Sequence, residues 1–160
     1  GLTILYRPPR LAALDGLMRQ GRERCGAHAV PTDASGVRRL YETLSKGGVV
    51  GILPDQDPGE SGGVFAPFFG IPANSMVLLS RLARKTGAAV FFGFSVRIPD
   101  SDKYRLQFMP APEGIDDPDP NVAATAMNRG VEACVRACPE QYQWSYRRFR
   151  TRPAGAVKIY

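Results

Sequence analysis

Val49-Val50-Gly51-Ile52-Leu53, followed at once by Pro54-Asp55-Gln56-Asp57, is the stretch of the 160-residue sequence that decides its fold. A continuous apolar run of this length is typical of a buried strand, and the Pro-Asp turn ends it. Strands buried on both faces occur in parallel sheets that helices cover. Ligands of such sheets bind beyond the carboxyl ends of the strands, which is where Asp55 and Gln56 stand.

The segments around this stretch alternate between strands and helices, as their hydrophobic periodicity and their Gly and Pro breaks indicate. Strands are predicted at residues 2–6, 29–30, 88–96 and 104–109, the last two as antiparallel neighbours. Helices are predicted at residues 10–25, from Asp33 or Ser35 to 46, at 75–86 and at 120–138. An α/β fold follows, with a layered mixed sheet flanked by helices. The carboxyl-end rule also marks the loop Arg7-Pro8-Pro9 as a ligand loop.

Length and composition fit one globular domain. The 160 residues are 44% hydrophobic and 22% charged, a balance typical of folded chains. No apolar run approaches the roughly 20 residues of a membrane-spanning helix. Because Leu2-Thr3-Ile4-Leu5-Tyr6 reads as a strand already under way, we expect the sequence to be a fragment of a longer chain.

The cysteines and the histidine do not predict a metal site. Cys25, Cys134 and Cys138 are an odd number without a Cys-x-x-Cys pair, and His28 is the only histidine. A metal centre needs more His or Cys ligands than these residues supply. The spacing of Cys134 and Cys138 in a helical pattern favours buried packing, and the cysteine usage indicates a reducing compartment.

The net charge of +6 is concentrated at the two ends of the chain. Residues 1–40 hold seven Arg and three acidic residues, and residues 139–160 hold four Arg, one Lys and one Glu. Residues 41–138 hold nine basic and eleven acidic residues. Two basic ends predict an acidic partner, which on charge alone is a phosphate group, an anionic lipid surface or a nucleic acid.

Two pairs of charged residues are candidates for chemistry. Asp55 and Asp57 follow a buried strand, where they form either an ordinary solvated turn or a carboxylate site that orients a histidine or an arginine. Arg22 and Arg24 lie near the end of the first predicted helix, a position that suits solvated arginines. Because Arg22 is one turn beyond Met18, we expect it to border the buried face and to be able to point into a site.

The last basic cluster is interleaved with aromatic residues. Residues 140–149 alternate polar and aromatic positions before they end in Arg147, Arg148 and Phe149. We expect the aromatic rings to dock this segment on the domain. The arginine pair suits bidentate contact with phosphate or anionic lipid.

Five segments, in order along the chain, carry a family resemblance. They are Tyr6-Arg7-Pro8, residues 19–24, residues 51–57, residues 63–70 and residues 139–149. Together they resemble the late acyltransferases of lipid A biosynthesis, of the lauroyl and myristoyl type. The resemblance covers nearly the whole chain, and Pro-Asp-Gln-Asp and Pro-Glu-Gln-Tyr are its most specific blocks. It implies a glycerolipid-acyltransferase-like α/β fold, with residues 1–160 as the C-terminal part of the acyltransferase domain.

The resemblance implies an enzyme on the cytoplasmic face of the bacterial inner membrane. Such an enzyme transfers a fatty acyl group from acyl carrier protein thioester, its co-substrate, to a hydroxyl of the phosphorylated lipid A precursor, without a cofactor. The implied partners are acyl carrier protein, this phosphorylated glycolipid acceptor and an anionic membrane surface. Nucleic acid is no longer expected, because a family block accounts for the aromatic and basic tail.

The resemblance also implies roles for individual residues. Arg22 and Asp55 match polar active-site residues of the family and are the expected catalytic residues. Asp55 would hold Arg22 or the general base in place, and Arg22 would meet substrate phosphate or the developing oxyanion. The other expected substrate-binding residues are Arg7, Gln56, Arg147 and Arg148.

One motif of the family is not found in the chain. The general base of the family is a histidine in an H-x4-E or H-x4-D motif that precedes the Tyr-Arg-Pro block. His28 and Asp33 have that spacing but follow the block, and Pro31 interrupts them, so His28 is predicted to be a surface or packing residue. The chain alone is therefore expected to be inactive. Two alternatives stay open: an acyltransferase of the same superfamily with another acceptor, and a non-catalytic module that binds anionic ligands.

Overall fold

The computed structural model of the protein describes residues 1–7, 9, 11–24, 26–59 and 62–160, and only the backbone of Ala12. The chain forms two compact units, Gly1–Leu53 and Pro54–Tyr160. Both units contain helices and strands, which confirms the predicted α/β class. Strand pairing is parallel in the first unit and antiparallel in the second. The single domain over residues 1–160 stays a prediction.

The first unit is a small parallel sheet with two helices. Its sheet has the strand order β2-β1-β3, where the strands are β1 (Leu2–Tyr6), β2 (Ala27–Pro31) and β3 (Val49–Gly51). The chain passes from β1 to β2 through a 3₁₀ turn (Ala12–Leu14) and helix α1 (Asp15–Glu23), and from β2 to β3 through helix α2 (Ala34–Ser45). Parallel neighbours need such crossovers, which is why strands and helices alternate here.

Helix α2 begins at the residue that the sequence predicts. The carboxylate of Asp33 accepts hydrogen bonds from the backbone N–H groups of Ser35 and Gly36, at 2.9 and 3.0 Å, and so caps the helix. Gly36 approaches the carbonyl oxygen of Pro31 so closely that no side chain fits between them. Leu40, one turn further on, is completely buried.

Helix α1 does not bury the face that its periodicity defines. The predicted ends of this helix, Arg10 and Cys25, lie outside the described residues. Among the described residues of α1, none is buried, and Leu17 and Met18 are exposed. The prediction that Met18 belongs to a buried face, and that Arg22 borders it, is therefore wrong. Periodicity shows which residues share a face but not what that face meets.

The second unit consists of two antiparallel hairpins and two helices. One hairpin joins β4 (Gly63–Phe68) to β5 (Ile71–Met76), and the other joins β6 (Phe91–Arg97) to β7 (Tyr104–Pro110), the predicted antiparallel pair. Helix α3 (Leu78–Thr86) ends at Gly87, and helix α4 (Pro120–Ala137) precedes a 3₁₀ turn (Pro139–Gln141). Asp119 caps α4, as the sequence predicts.

Helix α4 carries the core of the second unit. The buried cluster that it forms with both hairpins consists of Phe68, Ala73, Phe92, Met127, Val131 and Val135. The ring of Phe92 lies directly on the helix at Gly130, where a Cβ would overlap it. Cys134 packs against this cluster and Cys138 is buried, which confirms their predicted packing role.

The β4–β5 hairpin is the main departure from the predicted elements. The helix predicted at 75–86 begins only at Leu78, because Ser75 is a buried residue of β5 that pairs with Val64. The hairpin turns through Phe69 and Gly70, whose φ angles of 48° and 78° match the left-handed backbone of a two-residue hairpin turn. Pro67 and Pro72 face each other in the two strands. Because proline is uncommon inside a strand, the sequence pattern does not predict this hairpin.

Candidate active site

The first unit holds two of the predicted site residues. Arg7 follows β1 at the carboxyl end of the parallel sheet and is exposed. Arg22 lies in the last turn of α1 and is also exposed. The structure therefore leaves both guanidinium groups accessible to an anionic ligand.

The His28–Asp33 pair of the first unit is not an acid/base pair. His28 is exposed on β2, as predicted for a surface histidine. The carboxylate of Asp33 accepts the cap hydrogen bonds of α2 and a third from the hydroxyl of Ser35 at 2.6 Å. These bonds, that of the hydroxyl first, hold the pKa of Asp33 below its usual range. The acid is therefore committed to the helix N-terminus.

In the second unit, Asp57 holds the loop Pro54–Gly59 to the C-terminal segment. Its backbone N–H donates to the Tyr146 hydroxyl at 2.8 Å, and one carboxylate oxygen accepts from the backbone N–H of Thr151 at 3.0 Å. The other oxygen accepts from the backbone N–H of Gly59 at 2.9 Å and from the side-chain amide of Asn74 at 3.1 Å. We call these contacts the Asp57 clasp. Burial raises the pKa of Asp57, but the hydrogen bonds from Gly59, Thr151 and Asn74 outweigh it and hold the pKa below its usual range.

Arg148 lies beneath this loop and is only 3% exposed. One terminal nitrogen donates to the carbonyl oxygen of Asn74 at 2.7 Å, and the other donates to the Ser75 hydroxyl at 2.9 Å and reaches the Asn128 side-chain oxygen at 3.5 Å. Its guanidinium carbon stands 5.4 Å from the centre of the Phe68 ring. The structure thus buries a cation within a polar network between the β4–β5 hairpin and α4. Arg148, which was expected to bind substrate, is therefore not exposed to a ligand.

Asp55 shares the electrostatic environment of Arg148 and Tyr142. Burial raises the pKa of the half-buried Asp55, and the positive charge of Arg148 partly opposes this rise. Burial, with the charge of Asp55, raises the pKa of Tyr142 to about 12. Within the part of the chain that the structure describes, the Tyr142 hydroxyl and the Arg148 Nε are buried without a hydrogen-bond partner. Tyr142 and Arg148 therefore keep unused hydrogen-bonding capacity in the interior of the second unit.

The remaining predicted residues of the second unit are Gln56 and Arg147. Gln56 is half-buried between Asp55 and Asp57. Arg147 is exposed, and its guanidinium carbon stands 6.0 Å from the centre of the Tyr160 ring. Of the aromatic residues in the tail, Tyr142 and Phe149 pack on the core as predicted, whereas Trp144 is largely exposed.

Three residues of the polar network were not identified from the sequence. Asn74 and Ser75 lie in the unpredicted strand β5, and Asn128 lies on the buried face of α4. The Asn128 amide donates to the carbonyl oxygen of Pro67 at 3.0 Å and to the Ser75 hydroxyl at 2.9 Å. One signal was available, because Asn128 interrupts an apolar stripe between Met127 and Val131, where a polar side chain needs a buried partner.

In the described ranges, no group of three or more His, Cys, Asp and Glu residues could hold a metal ion. None of the helices in those ranges has the length and apolar character to cross a bilayer.

Comparison with known proteins identifies relatives of the whole chain. The family model for bacterial lipid A biosynthesis acyltransferases matches residues 1–151. The lipid A biosynthesis palmitoleoyltransferase of Escherichia coli K12 is 37% identical over 163 residues, which cover 99% of this chain and 51% of that protein. The lauroyltransferase of the same organism is 34% identical over 157 residues, covering 98% and 51%. The chain therefore spans about half the length of the curated relatives it matches.

Proposed function

Since this chain belongs to the bacterial lipid A biosynthesis acyltransferase family, we propose that it is part of an enzyme that transfers a fatty acyl group to a lipid A precursor. The donor is acyl carrier protein thioester, and the acceptor is a hydroxyl of the phosphorylated glycolipid. No cofactor takes part. The reaction takes place at the cytoplasmic face of the inner membrane.

The observation that carries this proposal is the match of one family model to residues 1–151. This range contains every residue to which a catalytic or substrate-binding role is given. The exposed Arg7, Arg22 and Arg147 support the proposal, because a phosphorylated acceptor needs accessible cations. The proposal concerns the reaction of the whole protein, to which this chain contributes part of the site.

The chemistry is a direct acyl transfer. The acceptor hydroxyl oxygen attacks the thioester carbonyl carbon, a C–O bond forms as the C–S bond breaks, and the hydroxyl proton passes to a general base and then to the departing thiolate. Arg22 binds substrate phosphate or the developing oxyanion. Asp55 orients the general base, and the positive charge of Arg148 favours the ionised form of Asp55. Arg7, Gln56 and Arg147 contact the anionic substrate.

The general base is supplied by a histidine outside residues 1–160. His28 is exposed and Asp33 is committed to capping α2, so neither takes this role. The coding sequence immediately before Gly1 should encode an H-x4-E or H-x4-D motif. If that sequence has no such motif, the non-catalytic module that binds anionic ligands becomes the better description.

The test is an acylation assay with acyl carrier protein thioester and a lipid A precursor that lacks its late acyl chains. The protein made with the residues encoded before Gly1 should acylate the precursor, and residues 1–160 alone should not. Asp55→Asn should lower kcat by about 100-fold, the size of a general acid–base contribution. Asp116→Asn, at an exposed carboxylate in the same unit, is the control.

Three outcomes would contradict the proposal. Acyl transfer by residues 1–160, lost in His28→Ala, would place the base in this chain. Transfer only to another glycolipid, such as mannosylated phosphatidylinositol, would leave the reaction but replace the acceptor. Full activity in Asp55→Asn would remove the role given to Asp55.

A further inference from the structure

The loop that carries Asp55 is short and stiff. Pro54 and Pro58 enclose Asp55-Gln56-Asp57, and each proline ring fixes its own φ angle and restricts the residue before it. Because only Gln56 separates them, the Cα atoms of Asp55 and Asp57 can be at most about 7 Å apart. Whatever fixes Asp57 therefore also limits where Asp55 can lie.

Asp57 is the point at which this loop is attached. Its side chain is fully buried, its backbone N–H donates to the Tyr146 hydroxyl, and one carboxylate oxygen accepts from the backbone N–H of Thr151. The Asn74 side-chain amide donates to the other carboxylate oxygen at 3.1 Å and to the Gly59 carbonyl oxygen at 2.7 Å. The Asp57 clasp thus holds the loop through both its backbone and a side chain.

Asp55 has no comparable attachment in the part of the chain that the structure describes. The hydrogen bond that stabilises its ionised carboxyl group comes from its own backbone N–H. The residue is half-buried, in a turn of the loop. The direction of the Asp55 side chain therefore depends on the backbone of the loop rather than on a partner from another element.

We propose that Asp57 and Tyr146 are positioning residues for acyl transfer, because they fix the loop so that Asp55 stays directed at the general base. The proposal rests on the role given to Asp55 in the function proposed above. Neither residue needs to touch substrate. Both carboxylate oxygens of Asp57 already accept hydrogen bonds within the fold, and the Tyr146 hydroxyl is bonded to the backbone of the loop.

The effect of the two residues on the rate should pass entirely through Asp55. A displacement of about 1 Å in a catalytic arrangement can slow an enzyme by about 100-fold. If Asp57 and Tyr146 act by placing Asp55, their loss cannot cost more than the loss of the Asp55 carboxylate itself. A merely structural role has no such limit, since a loosened fold would slow the reaction whether or not this carboxylate is present.

The test compares kcat with and without the Asp55 carboxylate, in the protein made with the residues encoded before Gly1. Saturating acceptor confines a contact of Gln56 with substrate to an effect on KM. Asp57→Asn replaces an acceptor oxygen with a donor and should lower kcat by about 100-fold, and Tyr146→Phe, which removes one acceptor, should lower it by about tenfold. In the Asp55→Asn background, neither change should lower kcat further.

Two control variants separate the loop from the rest of the unit. Tyr160→Phe removes a hydroxyl that also accepts a backbone N–H in the C-terminal segment, but from Phe149 rather than from the loop. Val131→Ala removes volume from the core on α4 without removing a hydrogen bond. At a temperature well below unfolding, both variants should keep the kcat of the unaltered protein.

A measurement without catalysis completes the test. Burial raises the pKa of Asp55, so a loosened loop that admits water should bring this pKa down toward its ordinary value. Carboxyl ¹³C NMR titration of the same protein should show this fall in Tyr146→Phe and an unchanged Asp55 pKa in Tyr160→Phe.

Two results would overturn the proposal. One is an equal loss of kcat on Asp57→Asn with and without the Asp55 carboxylate. The other is an Asp55 pKa that Tyr146→Phe leaves unchanged. If the unaltered protein transfers no acyl group, the proposed function fails instead, and the titration still decides whether Tyr146 positions Asp55.

Discussion

Helices α1 and α4 both have a one-sided apolar pattern, and they use it in opposite ways. Eight residues of α4 are buried, whereas none of the described residues of α1 is. The polar residue on the inner face of α4, Asn128, is bonded within the core, and the acids of α1 bond to its sheet. A helix is therefore oriented by the partners that satisfy its polar groups as well as by its apolar stripe.

The largest effect is expected when one apolar side chain is removed from each helix. Met127→Ala should lower the free energy of unfolding of the second unit by about 2 to 5 kcal/mol, because it leaves a cavity beneath α4. Leu17→Ala should change the free energy of unfolding of the first unit by less than about 0.5 kcal/mol, because Leu17 is exposed. Hydrogen exchange at increasing denaturant, read separately in peptides of each unit, measures both values. A similar loss in the two variants would show that α1 buries its leucines.

A comparable effect is expected from the polar interior of the second unit. Arg148→Met should destabilise this unit by about 3 kcal/mol, because the Asn74 carbonyl and the Ser75 hydroxyl lose a buried donor. Arg147→Met changes the neighbouring exposed arginine and should cost less than about 0.5 kcal/mol. Fluorescence of Trp144, the only tryptophan, follows urea unfolding of this unit. If the two variants are equally stable, the network does not hold the unit together.

Glycine substitutions in the two helices should change the free energy of unfolding with opposite signs. Gly130→Ala in α4 should destabilise by about 1 to 3 kcal/mol, because the new methyl group overlaps the Phe92 ring. Gly21→Ala in α1 has open space around the Cβ and should stabilise the helix by about 0.5 to 1 kcal/mol. The same denaturant-dependent exchange measures the two changes. Destabilisation by Gly21→Ala would mean that something lies against α1.

The smallest expected effects are on the pH dependence of stability, to which Asp55 and Asp57 should contribute with opposite signs. The pKa of Asp57 is lowered, so its contribution to stability is present above the unfolded-state pKa and lost as pH falls through the folded-state value. The pKa of Asp55 is raised, so its contribution is present at low pH and lost as pH rises through the folded-state value.

Urea unfolding between about pH 3 and pH 7, where carboxyl groups titrate, checks these signs. The stability of the unaltered chain relative to Asp57→Asn should increase with pH, and its stability relative to Asp55→Asn should decrease. Parallel curves for the two variants would mean that burial does not distinguish the two carboxyl groups.

Local signals explain what could be predicted from the sequence. The start of α2 at Asp33, the start of α4 at Asp119 and the β6–β7 pairing follow from caps, glycine and alternation, all of which act over a few residues. Strand β5 was missed because Pro72 and the polar pair Asn74-Ser75 do not resemble a strand.

The candidate site was harder to predict for the same reason. Sequence placed Asp55 and Gln56 at the end of a strand, and the resemblance selected Asp55 among the acids of the loop. It did not show that Asp57 would be the fully buried neighbour, because the groups that satisfy Asp57 come from Asn74, Tyr146 and Thr151. A buried charge is defined by its partners, and periodicity carries no information about them.

The Asp57 clasp also imposes an order on synthesis of the protein. Asp57 bonds to residues 89 and 94 positions later in the chain, Tyr146 and Thr151. At a translation rate of about 5 to 20 residues per second, the ribosome needs roughly 5 to 20 s to add that length. During this interval Asp57 lacks its contacts with Tyr146 and Thr151, while the β2-β1-β3 sheet has already left the ribosome. The loop Pro54–Gly59 is thus among the last parts of the chain to acquire its native contacts.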